Sequence, residues 1–265
     1  MQNIPLNKRY KKQVWAISFF GFFAIASVFI SSPDVNASLA YVSPYFKGLG
    51  DFSVFGFSPL GESVASLLVW GFWQTIFIAF SGRFLAIVLV FVGSAAASVG
   101  GKSAHFVITR ICEAFMTLPS LLIALSLGFI LGEGAYVMIL VIGISEWAFN
   151  QKWMLGRLHE YERHDYIMAS RLLGAGPLHL FFRQHFPLMR ADLGVLFFLY
   201  LPGSLLTVAA LEFLGLSTGA GIPGLGYQVA LNKDVVFLYP HTILPSGVLI
   251  VLTVFVTNHM RNKSA

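Results

Sequence analysis

Residues 166–187 read YIMASRLLGAGPLHLFFRQHFP, a basic stretch held between two segments of strongly apolar sequence. Tyr166, Ala169, Leu172 and Leu173 recur at helical spacing and form an apolar stripe, while Arg163, Ser170 and Arg171 lie off it. The spacing predicts a short amphipathic helix. Gly174-Ala175-Gly176-Pro177 then supplies a residue tolerant of positive φ, followed by one that cannot continue a helix, so the helix should stop near Gly174. A second basic helical run carrying Arg183 and His185 passes through Pro187 to Arg190, where a new apolar segment starts. A basic, water-facing helix–turn–helix between lipid-compatible segments reads as a docking element on a membrane protein.

Working outward from this element, composition fixes the class. The chain is 57% hydrophobic and 11% charged, with a mean hydropathy of +0.76. Soluble domains hold about 45–50% apolar and about 25% charged residues, so an ordinary soluble fold is excluded. Apolar runs at about residues 14–31, 74–99, 104–131, 134–155, 190–216 and 241–259 are each long enough for a spanning helix of roughly 20 residues. The expected fold is therefore all-α and polytopic, with about six transmembrane helices: an N-terminal anchor and outer segment in 1–73, and a permease-like transmembrane domain in 74–265. The loop 156–189 carries the docking element. Alternating the spans from an inside N-terminus places Lys8, Arg9, Lys11, Lys12, Lys102, Lys152, Arg157, Arg163, Arg171, Arg183, Arg190, Arg261 and Lys263 inside, against Lys47 and Lys233 outside. Because Lys and Arg in short loops set orientation, both termini and the docking loop are expected in the cytoplasm. The +5 net charge is absorbed by this topology, and no nucleic-acid partner is expected.

The docking stretch resembles the EAA loop of ABC importer permeases, read here as Met168-Ala169-Ser170, Gly174 and Phe186-Pro187. The wider chain resembles the C-type permease subunit of the dipeptide, oligopeptide and nickel importers, in Thr117-Leu118-Pro119-Ser120-Leu121-Leu122, in Trp147, and in Ala209-Ala210-Leu211-Glu212-Phe213-Leu214-Gly215-Leu216. The similarity runs from about Gly56 to about Asn258, and it departs from the pattern where Met168 stands for the glutamate of E-A-A. The resemblance implies half of a translocation path in a bacterial inner membrane. It also implies four kinds of partner: two separate ATP-binding cassette subunits, a second, B-type permease, an extracytoplasmic solute-binding protein and the lipid itself. It assigns ATPase coupling to Arg163, Asp165, Tyr166, Ala169, Ser170, Arg171, Leu172, Gly174, Ala175 and Pro187. Peptides or peptide-like solutes are the expected cargo, and nickel or a metal chelate is the alternative. An ATP-independent transporter or a membrane scaffold is the alternative from another class.

Other patterns carry less. Lys8 to Lys12 with Ser38-Leu39-Ala40 could be a signal peptide, but the long polar stretch between them favours a retained anchor. Ala96-Ala97-Ser98-Val99-Gly100-Gly101-Lys102-Ser103 fits a loosened phosphate-loop pattern, yet it closes a membrane span where a buried strand would be required, so it reads as a surface turn. His159, His164, His179 and His185 lack the spacing of a ligand set, and no metal or cofactor is expected. No catalytic constellation appears, so ATP hydrolysis is assigned to partner subunits. Cys112 alone can form no intrachain disulfide and reads as packing.

Ionisable residues inside spans are costly and therefore informative: Arg83, Arg110, Glu113 and Glu146. Arg110 and Glu113, three apart, should pair on one face. Glu146 has no local partner in sequence, and could either line the translocation path or bond a neighbouring helix. Pro119 and Pro202-Gly203 should bend their helices. The outside segments 32–73 and 217–240 are Gly- and Pro-rich and should be irregular.

Overall fold

The computed structural model describes residues 6–30, 32–33, 55–58, 62–216, 218–219 and 222–261. Ten α-helices follow in order among them: α1 (Leu6–Phe29), α2 (Val64–Val99), α3 (Gly101–Met116), α4 (Ser120–Leu131), α5 (Ala135–Tyr161), α6 (Asp165–Leu172), α7 (Pro177–Leu180), α8 (Phe186–Phe213), α9 (Leu225–Asn232) and α10 (Pro240–Arg261). A π-helical turn, Phe181–His185, joins α7 to α8 without interruption.

The long helices are apolar on most faces, as expected where the surroundings are lipid rather than water. Phe77, Ile130 and Val251 are each more than 60% exposed along them. By length and apolarity, Val64–Val99, Pro177–Phe213 and Pro240–His259 can each cross a membrane, and α3 with α4 can do so as one bent span. The six expected spans therefore map unevenly. The runs 14–31 and 134–155 form α1 and α5, but α1 offers a shorter apolar helix and α5 carries Glu146 and Lys152.

One expectation is met and two are corrected. First, the bend expected at Pro119 is present: the run 104–131 breaks at Thr117–Pro119 and turns through 90°. Pro119 provides no N–H for a continuing ladder, and its own carbonyl starts α4 by accepting from Leu122 at 2.9 Å and Ile123 at 3.2 Å. Second, α2 begins at Val64, ahead of the expected start at residue 74, so 64–73 is helix with Val64, Leu67, Leu68, Val69 and Phe72 buried. The rest of the first outside segment lies largely outside the described residues, as does Ser38-Leu39-Ala40. Third, the described part of the segment 217–240 forms α9 and a 3-10 turn, Lys233–Val235, where the sequence predicts an irregular loop.

α2 and α5 form the central pair. The small residues near the end of α2 let Gln151 reach across, where its Nε2 donates to Ser94 Oγ at 3.0 Å, while Trp147 Nε1 donates to Gln151 Oε1 at 3.2 Å. α8 packs against both, and α4 covers the middle of the bundle around Ala124, Ile142 and Val208. α1 rests on α2 through stacked Phe23 and Phe72, with ring centroids 4.1 Å apart, and Leu249 of α10 joins the same cluster.

Candidate functional site

At one end of the bundle, α5 stops at Tyr161 and the chain turns through Glu162–His164 into α6. Asp165 stands in the first turn of α6 and Arg171 in the last, a placement that complements the helix dipole. Ile167, with no exposed surface, anchors α6 in a cluster with Tyr161, Leu180 and Phe181. The predicted apolar stripe lies elsewhere on the helix. Tyr166 is 50% exposed, Leu172 86% and Leu173 89%, and Ala169 is exposed as well. One side chain thus holds α6 down, and the rest of its apolar surface stays uncovered.

The end of α6 is built as the sequence predicts. Gly174 adopts φ +86°, and the amides of Leu173, Gly174 and Ala175 donate back to the carbonyls of Ala169, Arg171 and Ser170 at 3.0 Å each. Ser170 Oγ donates to the Tyr166 carbonyl at 2.8 Å and accepts from Gln184 Nε2 at 2.5 Å, which ties α6 to the π-helical turn. Both expected coupling arginines have partners within the chain: Arg171 pairs with Glu162 at 3.1 Å, and Arg163 approaches His159 at 3.4 Å. Pro187 is exposed in the first turn of α8. The second basic run is not a separate helix, since Pro177 to Phe213 is helical throughout. The π-helical turn allows this by adding a residue to the ladder between Leu180 and Phe186, keeping both Phe181 and His185 buried.

Beneath this element α5 and α8 are clamped together. Arg157 Nε donates to Asp192 Oδ2 at 2.7 Å, and the Tyr161 hydroxyl donates to the same oxygen. Burial, reinforced by the neighbouring Asp192, raises the Tyr161 phenol above its ordinary range. Asp192→Ala should lower stability by about 2 kcal/mol, because it removes hydrogen bonds to a charged group, and Tyr161→Phe by less. Thermal unfolding of the detergent-solubilised chain checks the order.

The other singled-out residues also have places. The chain turns from α2 into α3 at Gly100-Gly101, with Gly101 at φ +68°, and Lys102 and Ser103 stand exposed in the first turn of α3. Arg110 and Glu113 pair at 2.6 Å, and Lys152 of α5 joins them at 3.0 Å. Cys112 is fully buried. Glu146 does have a partner, which sequence reasoning missed: Arg83 of α2, with Nη1 at 3.5 Å from Oε2, while Ser204 Oγ of α8 donates to that oxygen at 2.5 Å. At the opposite end of the bundle, α9 is pinned from three sides. Leu225 N donates to Thr75 Oγ1 and Gly226 N to Glu212 Oε2, each at 3.0 Å. Gln228 Nε2 donates to the Leu67 carbonyl at 2.6 Å, and Ser246 Oγ donates to Gln228 Oε1 at 2.8 Å.

A bundle of long apolar helices, with a short amphipathic helix protruding at one end and its apolar side chains uncovered, has the architecture of a helical membrane protein. Residues 89–262 match the family of binding-protein-dependent transport system inner membrane components, and the chain belongs to that family. Among its relatives is the di/tripeptide transport system permease protein DppC of Pseudomonas aeruginosa, 31% identical over 206 residues, which span 77% of this chain and 68% of the relative. The oligopeptide transport system permease protein OppC of Bacillus subtilis is 26% identical over 202 residues, 76% of this chain and 66% of that one. A metal-staphylopine import system permease protein, CntC of Staphylococcus aureus, is 23% identical over 153 residues, 58% and 53%.

Proposed function

We propose that the chain is one of two permease subunits of a bacterial inner-membrane importer of peptides, driven by separate ATP-binding cassette subunits and fed by an extracytoplasmic binding protein. Peptides are favoured over metal chelates because the DppC relative is nearer in identity and coverage than CntC. The termini and α6 face the cytoplasm, in accord with the Lys and Arg asymmetry of the loops. α6 is the coupling helix, within the loop 156–189. The observation that carries this reading is the exposure of Leu172 and Leu173 at 86% and 89%, on a helix whose buried apolar anchor is Ile167. Apolar side chains left in water next to a helix end are a docking surface for a partner. Tyr166, Ala169 and Ser170 complete its face, while Arg163, Asp165 and Arg171 form its charged rim. Gly174 and Ala175 fix its end, and Pro187 stands exposed in the first turn of α8, on the helix that leaves it.

The test is purification of the chain from its native membrane in mild detergent, as wild type and as Leu172→Asp. The wild type is expected to bring two ATPase subunits and a second permease with it, and the variant to lose the ATPases while keeping its own fold. A wild type that arrives without an ATPase, or a variant that retains full hydrolysis, refutes the assignment.

A further inference from the structure

At mid-depth in the bundle one cation touches three helices. Arg83 of α2 has no exposed surface; its Nη2 donates to Asn150 Oδ1 of α5 at 2.9 Å and to the Leu196 carbonyl of α8 at 2.7 Å. Its guanidinium lies 5.1 Å from the centre of the Tyr200 ring, also on α8. Glu146, 3.5 Å away, reaches the same helix higher up, through Ser204. Between these contacts lies Pro202-Gly203. Pro202 has no N–H for the carbonyl of Phe198, so α8 is weakest at this point. Leu196 and Tyr200 are held from below the weak point and Ser204 from above it, and one ion pair holds both.

A buried ion pair makes a weak strut, because desolvation offsets most of its attraction and an apolar pair of similar volume would serve about as well. This one is also incompletely bonded: Nη1 meets Glu146 only at 3.5 Å, longer than a good hydrogen bond, and Nε is buried without a hydrogen-bond partner. A buried donor left unbonded needs an explanation, and spare bonding capacity beside the interrupted ladder at Pro202 is what a second arrangement of the same helices would use. The helix that contains α8 also runs unbroken from Pro177, shortly after the end of α6, which gives a displacement of the docking surface a continuous path to the part of α8 before Pro202.

We infer that Arg83 and Glu146 are positioning residues that latch α8 across the interrupted hydrogen-bond ladder at Pro202 and hold the subunit in its resting conformation. The inference rests on the ATP-driven reading above and adds a coupling element to it. The test uses the purified complex with its ATPase subunits in lipid nanodiscs, with ATP hydrolysis measured in the absence of binding protein. Arg83→Met/Glu146→Met removes both charges together and is expected to assemble with near-wild-type thermal stability. Its basal hydrolysis should rise about tenfold, the size of an ordinary coupling effect. Ser204→Ala, which loses the Ser204 contact beyond Pro202 and keeps the ion pair, should raise it several-fold, and it guards against a double variant that fails to assemble. A purely structural cluster would leave basal hydrolysis unmoved once stability is matched. Basal rates at or below wild type in either assembled variant overturn the latch alone. A wild-type preparation that contains no ATPase sinks the importer reading, and the latch with it.

Discussion

Gly226→Ala is expected to displace α9 from the bundle and to cost about 3 kcal/mol, the upper range for forcing a methyl group into a packed site. A Cβ at this position would lie 2.1 Å from the Ala209 carbonyl oxygen and 2.8 Å from the Ala209 Cα, so the obstacle is backbone and no rotamer change relieves it. Moving α9 outward breaks the amide bonds of Leu225 to Thr75 and of Gly226 to Glu212, both 3.0 Å long. Glu212 would then keep a buried carboxyl group without its N–H partner, which adds to the loss. Gly247→Ala is the control, since nothing lies within 4 Å of where its methyl group would stand and alanine favours the helix. Thermal unfolding in detergent should separate the two. Equal melting temperatures would show that α9 is not seated on α8 as described.

The second large effect concerns the opposite end. Gly174→Val should cost about 1–2 kcal/mol locally, because the left-handed region disfavours any residue with a Cβ by roughly that much and a β-branched one fares worst there. Gly174 has φ +86° and open space around it, so any loss arises from the backbone conformation and not from a clash. Escape to a negative φ would unwind the amide bonds that close α6 and swing Leu172 and Leu173 away from their present positions. ATP hydrolysis by the co-purified complex should fall about tenfold, since roughly 1.4 kcal/mol corresponds to one decade. Gly174→Asn, which tolerates positive φ, should retain most of it. Gly176→Ala, at φ −69° with nothing within 4 Å, should be neutral. A valine variant with wild-type hydrolysis would mean that the close of α6 does not govern docking.

What sequence can reveal here follows from the range of the forces involved. The end of α6 is legible because Gly174 and Pro177 act through their own backbones. The Arg110–Glu113 pair is legible because helical spacing brings residues three apart together. The bend at Pro119 is legible as a bend, but its 90° angle depends on how α4 packs against α5 and α8, which no local rule specifies. Arg83 and Glu146 are each visible as costly charges, yet they stand on helices far apart in the chain, and helix pairing is a tertiary fact. The early start of α2 is hidden for a different reason: Gly61, Gly71 and the aromatics around them read as turn and interface signals, while burial against α9 and α10 overrides them. The uncovered face of α6 is the converse case. An apolar stripe in sequence normally marks the side turned inward, and here Ile167 takes that role alone.

Pro202 divides the run from Pro177 through α8 into two unequal arms. With a rise of about 1.5 Å per residue, the arm from Pro177 to Pro202 is roughly 38 Å long and the arm from Pro202 to Phe213 roughly 17 Å. For a given change of angle at Pro202, the α6 end would therefore travel about twice as far as the end where Glu212 accepts from Gly226 of α9.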